Sequence, residues 1–203
     1  MAFVFLLLGL AYLLSFAEMG DTRKNSLPVL NQVSDFALTN QDGQLVTLAD
    51  LTNHVWVADI IFTRCAASCP IMSRQMQSLQ GALPPDGTAR LVSLTTDPDY
   101  DTPVILQRYG NHYGANFNRW MFLTGTKPQL AGLAASSLKL GSTPVAPADQ
   151  KSPVDLFIHS TIFVAVDKHA RLRGIFETEG DGIDWTNVQP RIVETVRQLE
   201  REP

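Results

Sequence analysis

Val55 to Phe62 reads VWVADIIF, and no other stretch limits the possible folds so tightly. Every position but Asp59 is apolar, with β-branched and aromatic side chains prevailing, the composition of a strand covered on both faces. Such a strand needs helices on either side of its sheet, so an α/β architecture is expected. Three residues further on comes Cys65-Ala66-Ala67-Ser68-Cys69, followed by Pro70 where a first-turn proline belongs. Met72, Met76 and Leu79 then recur at helical spacing, with Gly81 available to end the helix. The local order is strand, cysteine loop, helix.

The same alternation continues. Arg90 to Thr95 and Trp120 to Leu123 read as further buried strands, and Pro103 to Tyr109 and Lys127 to Leu138 as helices. Ser160 to Val166 and Leu172 to Phe176 read as a hairpin turning at Asp167-Lys168-His169-Ala170. Ile192, Val193, Val196 and Leu199 form one face of a last helix. Two stretches lack a period. Gly141 to Pro153, with prolines at 144, 147 and 153, reads as a loop leading to Leu156-Phe157-Ile158-His159. Thr96 to Pro103 concentrates Asp97, Asp99 and Asp101 in a turn. Neither an internal repeat nor a low-complexity tract interrupts the pattern.

A chain of 203 residues, 45% hydrophobic, suffices for one substantial core. Its 16 Lys and Arg against 20 Asp and Glu provide no basic face, so nucleic acid is not an expected partner. Met1 to Ala17 carries no charged side chain. As a helix it would span roughly 26 Å at ~1.5 Å per residue, slightly short of the ~30 Å hydrocarbon layer. It reads as an export signal, with Ser15-Phe16-Ala17 as a small-x-small cleavage site, or as a retained membrane anchor. The expected organisation is signal or anchor 1–17, linker 18–30 and domain 31–203, located outside the cytoplasmic membrane on the periplasmic side.

Cys65 and Cys69 are the sole cysteines, which excludes a multi-disulfide scaffold and a four-cysteine zinc site. At a strand-to-helix junction, three intervening residues leave the two sulfurs close enough to bridge or to share a metal. The positive end of the helix and Arg64 are both expected to lower thiol pKa. A purely structural disulfide is the weaker reading, because closing a five-residue loop gains little. Two thiolates and one imidazole make a trigonal Cu(I) site, since soft sulfur selects Cu(I) over hard cations. Of four histidines, His54, His112 and His169 occupy solvated contexts, whereas His159 lies at the junction of a loop and a strand. Met72 and Met76 are assigned to the core, Asp97, Asp99 and Asp101 to turn and cap roles, and Trp56, Trp120 and Trp185 to packing.

Asp35-Phe36-Ala37-Leu38-Thr39, Gln41-Asp42-Gly43-Gln44 and Ile61 to Pro70 resemble the opening of the Sco/SenC family of copper chaperones. Ser93 to Pro98 with Asp101-Thr102-Pro103 resembles the family's strand and acidic turn, and Trp120 to Gly125 its next strand. His159-Ser160-Thr161 falls where the family places its ligand histidine. The resemblance implies a thioredoxin-like fold, a central mixed sheet flanked by helices, that binds copper through Cys65, Cys69 and His159. It further implies a role in assembling the CuA centre of cytochrome c oxidase, with the CuA-bearing subunit as partner. Two positions depart from the common pattern: Ala66 stands where many members have proline, and Ile158 where many have aspartate.

Asp59 supports a competing expectation. An acid at this spacing before the first cysteine resembles thioredoxin, in which it lies beneath the thiols. Cys65 would then attack a disulfide of a partner protein, Cys69 would resolve, and Asp59 would take the proton. The plain alternative for Asp59 is a buried acid bonded to backbone or water. The third intervening residue and the absence of Trp-Cys-Gly-Pro-Cys argue against thioredoxin proper, and Ala58 and Phe62 against a peroxiredoxin. A redox-responsive binding module without turnover is a third possibility.

Overall fold

The computed structural model describes residues 26–144 and 157–203, with side chains left aside in the strands at 142–144 and 157–159. The expected signal or anchor, most of the expected linker and residues 145–153 of the expected loop lie outside the described residues. Among the described residues no helix is long and apolar enough to cross a membrane.

Eight strands form one mixed sheet in the order β1-β10-β9-β4-β5-β6-β2-β3. They are β1 (Asn31–Gln32), β2 (Ala37–Asn40), β3 (Leu45–Thr47), β4 (Trp56–Ile61), β5 (Arg90–Thr95), β6 (Trp120–Thr124), β9 (Ile162–Val166) and β10 (Arg171–Glu177). A separate two-stranded ribbon pairs β7 (Ser142–Pro144) with β8 (Phe157–His159). All six residues of β4 are buried, as a strand covered on both faces must be. It runs parallel to β5, from Trp56 opposite Arg90 to Ile61 opposite Thr95, and β5 runs parallel to β6. On its other side β9 is antiparallel, with Trp56 opposite Val166 and Ala58 opposite Val164.

Alternate residues of β4 feed two cores. Val55, Val57 and Ile61 pack with Cys69, Met72, Met76 and Leu79 of α2 (Ser68–Ala82), Leu106 of α3 (Pro103–His112), and Ile192, Val196 and Leu199 of α5 (Trp185–Arg201). Trp56, Ala58 and Ile60 pack on the opposite face with Leu51 of α1 (Leu48–Leu51), Leu130 of α4 (Lys127–Ala131), and Leu133. Each fully buried side chain of this size contributes about 1.5–3 kcal/mol. Met72 and Met76 are wholly buried, as assigned.

Several expectations are corrected. Gly81 does not end α2, which runs on to Ala82 and stops before the Pro84-Pro85 pair. The helix expected over 127–138 is α-helical to Ala131 only, and Gly132–Ser137 winds as a π-helix. The loop expected from Gly141 begins instead with β7, whose backbone pairs with β8. The N-terminal hairpin β2–β3 turns at Asp42-Gly43, where Gly43 has φ 77°.

The parallel strands β4, β5 and β6 all end at one edge of the molecule, where their outgoing loops gather. Antiparallel β9 begins at that same edge. Ligands of open α/β sheets bind beyond the carboxyl ends of the strands, and there the cysteine loop lies.

Candidate metal and thiol site

Phe62 closes β4 and folds the loop back on itself. Its carbonyl accepts the Cys65 N–H at 3.1 Å, and its own N–H donates to the Cys69 sulfur at 3.4 Å. Cys69 occupies the first turn of α2 and is wholly buried, while Cys65 is half-buried. Neither cysteine is in a disulfide. The hydrogen bond shared with Cys65, reinforced by burial, pushes the Cys69 thiol well above its ordinary range. The expected lowering by the helix N-terminus is therefore overturned at Cys69. The partial charge of one helical turn does not outweigh a neighbouring thiol and complete withdrawal from water.

Arg64 also acts differently from expectation. Its guanidinium donates to Asp97 and lies over the Tyr100 ring, 4.2 Å from the centroid, so its charge is balanced by the acidic turn. Thr63 is held by the same turn. Its N–H donates to Asp101 at 3.1 Å and its hydroxyl donates to the other Asp101 oxygen. The Thr95 hydroxyl adds a third bond to Asp101 at 2.5 Å. Burial pushes the Asp101 carboxyl above its ordinary range, against the opposing effect of the Thr63 and Thr95 hydrogen bonds. Two of the three carboxylates assigned to turn and cap roles thus brace the cysteine loop. Asp99 alone points outward, paired with Lys127.

Near Cys69 lies a polar group of three, Asp59 and Ser73 buried and Tyr109 half-buried. Asp59 is fully buried in β4, and by strand alternation it shares the face of Val57 and Ile61. Its negative charge disfavours ionisation of both Cys69 and Tyr109. The Tyr109 hydroxyl shares a hydrogen bond of 2.7 Å with Ser73 and reaches the Cys69 carbonyl at 3.5 Å. Burial pushes the Tyr109 phenol above its ordinary range. Neither Tyr109 nor Ser73 stands out in the sequence as a site residue. A phenol and a hydroxyl on two helices show no local signal of their meeting.

His159 is the last residue of β8, its backbone paired with Ser142. Two residues on, the Thr161 carbonyl accepts both the N–H and the hydroxyl of Thr178, and the Thr178 carbonyl accepts the Gln75 amide of α2. The other histidines lie elsewhere: His54 bonds the Thr88 carbonyl, His169 the Pro203 carbonyl, and His112 meets Tyr113 edge-on. Among the described residues no three His, Cys, Asp or Glu side chains converge as a metal site. The donors available at the loop are two soft sulfurs, the class that selects Cu(I).

A family model described as SCO1/SenC matches residues 25–194, most of the chain. The chain belongs to this family. It is 32% identical over 181 residues to the SCO1 protein homolog of Bacillus subtilis (strain 168), covering 86% of this chain and 90% of that protein. BsSco, in which a disulfide switch was identified and which is described as a member of the Sco family of cytochrome c oxidase assembly proteins, superposes with TM-score 0.71. Identity there is 27%, over 88% of this chain and 100% of that one. Copper-bound ScoI of Bradyrhizobium japonicum superposes with TM-score 0.68 at 18% identity, over 83% and 99% of the two chains, a likeness of fold. The expected thioredoxin-like architecture, a mixed sheet flanked by helices, is the one the Sco proteins share. The matched region contains Asp59, Cys65, Cys69 and His159.

Proposed function

We propose that this SCO1/SenC protein carries one copper ion as cargo, held by the thiolates of Cys65 and Cys69 and the imidazole of His159, and serves assembly of the CuA centre of cytochrome c oxidase. The observation supporting this most directly is the pair of reduced thiols in mutual hydrogen-bond contact, one wholly buried and one half-buried, at the edge where ligands of α/β sheets bind. The copper-bound state of ScoI and the assembly role described for BsSco point the same way. Each thiol must release its proton to ligate, and His159 must be neutral. A disulfide between Cys65 and Cys69 would remove both sulfur donors together, so copper loading and oxidation of the pair exclude each other. We further propose that residues 1–17 act as signal or anchor, 18–30 as linker and 31–203 as the domain, so that the protein works outside the cytoplasmic membrane.

Anaerobic Cu(I) titration of the reduced protein against a competing chelator tests this reading. One ion per chain is expected, with affinity reduced about tenfold to a hundredfold in His159→Ala. Absence of stoichiometric binding in the unsubstituted protein would remove the copper reading. Undiminished binding in His159→Ala would remove the histidine from the ligand set.

A second reading makes Cys65 the attacking thiolate toward a disulfide of a partner protein, Cys69 the resolving thiol and Asp59 its proton acceptor. It is favoured by the full burial of Asp59 and its electrostatic effect on Cys69.

A further inference from the structure

Each of the three residues before Cys65 is tied to something. Phe62 is bound through its carbonyl to Cys65 and through its N–H to Cys69. Arg64 reaches Asp97 with its guanidinium. Thr63 is held by Asp101 alone of the acidic turn, through both its backbone N–H and its hydroxyl. Asp101 is 0% exposed, and its carboxylate ignores the first turn of α3, which begins two residues later. It reaches instead across two loops, to Thr63 after β4 and to Thr95 at the end of β5. An ordinary cap would look toward its own helix.

We propose that Asp101 is the positioning residue of the thiol pair: by accepting both donors of Thr63 it fixes the strand end that carries Cys65 against Cys69, and thereby tunes metal binding and disulfide formation. The copper half of this statement rests on the function proposed above; the disulfide half does not. The physical argument is one of asymmetry. Cys69 belongs to a helix seated in the core through Met72, Met76 and Leu79, whereas Cys65 sits on a turn. Releasing Thr63 therefore moves one sulfur and not the other. Only a carboxylate meets the need, because three donors converge on its two oxygens, and an amide would replace one acceptor with a competing donor. Thr95 stiffens the arrangement: its hydroxyl donates to Asp101 and accepts the Asp97 N–H at 3.0 Å, so the brace on Thr63 and the brace on Arg64 are one unit.

The test is the thiol-disulfide equilibrium of the full chain in defined glutathione buffers, read by alkylation of the remaining thiols, together with Cu(I) affinity. Asp101→Asn and Thr63→Val are each expected to shift the equilibrium roughly tenfold toward the dithiol, because a displaced Cys65 is a poorer partner for Cys69. Cu(I) affinity should fall about tenfold in the same variants. Thr63→Ser, which keeps both donors, should restore the equilibrium, and Asp99→Asn, which alters only the outward pair with Lys127, should not move it. A loss of global stability alone would lower Tm without this pattern. Should Asp101→Asn fail to fold, Thr63→Val against Thr63→Ser decides. An equilibrium unchanged in Thr63→Val, or shifted equally in Thr63→Ser, overturns the proposal. An unsubstituted chain that binds no Cu(I) yet shows the glutathione pattern overturns the copper reading and leaves the positioning role intact.

Discussion

Asp59 is a carboxyl group fully withdrawn from water in the middle of β4, where a polar side chain is kept only at a cost in packing or for a role of its own. It lies on the face of β4 that packs against α2, and its charge is felt at Cys69, which places it to exchange a proton with Cys69 during resolution of a mixed disulfide. If the redox reading holds, Asp59→Asn should reduce a protein disulfide about a hundredfold more slowly than the unsubstituted chain, measured as steady-state disulfide reduction with saturating reductant. Equal rates would take Asp59 out of the chemistry. The cysteine pair and Asp59 are both legible in the sequence, because each breaks a local pattern. The Asp101 to Thr63 bonds are not, since 38 positions separate the partners and the contact exists only once β4 and β5 lie side by side.

Legibility among the elements follows length and burial. β4 and β5 are six-residue runs buried almost throughout and are legible nearly to the residue, whereas β2 and β3 have four and three residues and carry too short a period to declare themselves. The Asp42-Gly43 turn is the signal that would have found them. β7 was hidden by its proline, and its pairing is set by the distant β8. In α3, Gly110 shows packing overriding propensity. Alanine is favoured over glycine in a helix by about 1 kcal/mol. A Cβ at Gly110, however, would lie 2.6 Å from the Phe117 ring and 2.8 Å from that of Phe122, the latter wholly buried. Overpacking of this kind costs about 1–3 kcal/mol and should prevail. Urea unfolding of Gly110→Ala is expected to show a lowered midpoint, and a raised one would contradict the packing argument.

At the scale of the whole molecule, Arg173 joins three distant parts of the chain. Arg173 is 4% exposed where the β9–β10 register shifts, and its guanidinium pairs with Asp167 at 2.6 Å and with Glu202 near the C-terminus at 2.8 Å, and donates to the carbonyls of Leu27 and Pro28. Burial alone would raise the Asp167 carboxyl, but the hydrogen bonds of Arg173 and Arg171 hold it below its ordinary 3.8. A depressed carboxyl contributes stability above its unfolded value and loses it as pH falls through the folded one. Arg173→Met should therefore cost about 1–3 kcal/mol at neutral pH, by removing one of the two guanidiniums that hold the buried Asp167 and leaving it to Arg171 alone. Below the ordinary value of 3.8 the difference should narrow, as Asp167 takes up a proton. A stability gap constant from neutral pH to pH 3 would refute that assignment. The same long-range assembly underlies the proposed metal site, which draws on the loop after β4 and on the end of β8. X-ray absorption at the copper edge of the Cu(I)-loaded reduced protein is the most direct test: the account predicts two sulfur donors and one nitrogen donor, the nitrogen lost in His159→Ala, and a shell with fewer than two sulfurs or an unchanged nitrogen in that variant would contradict it.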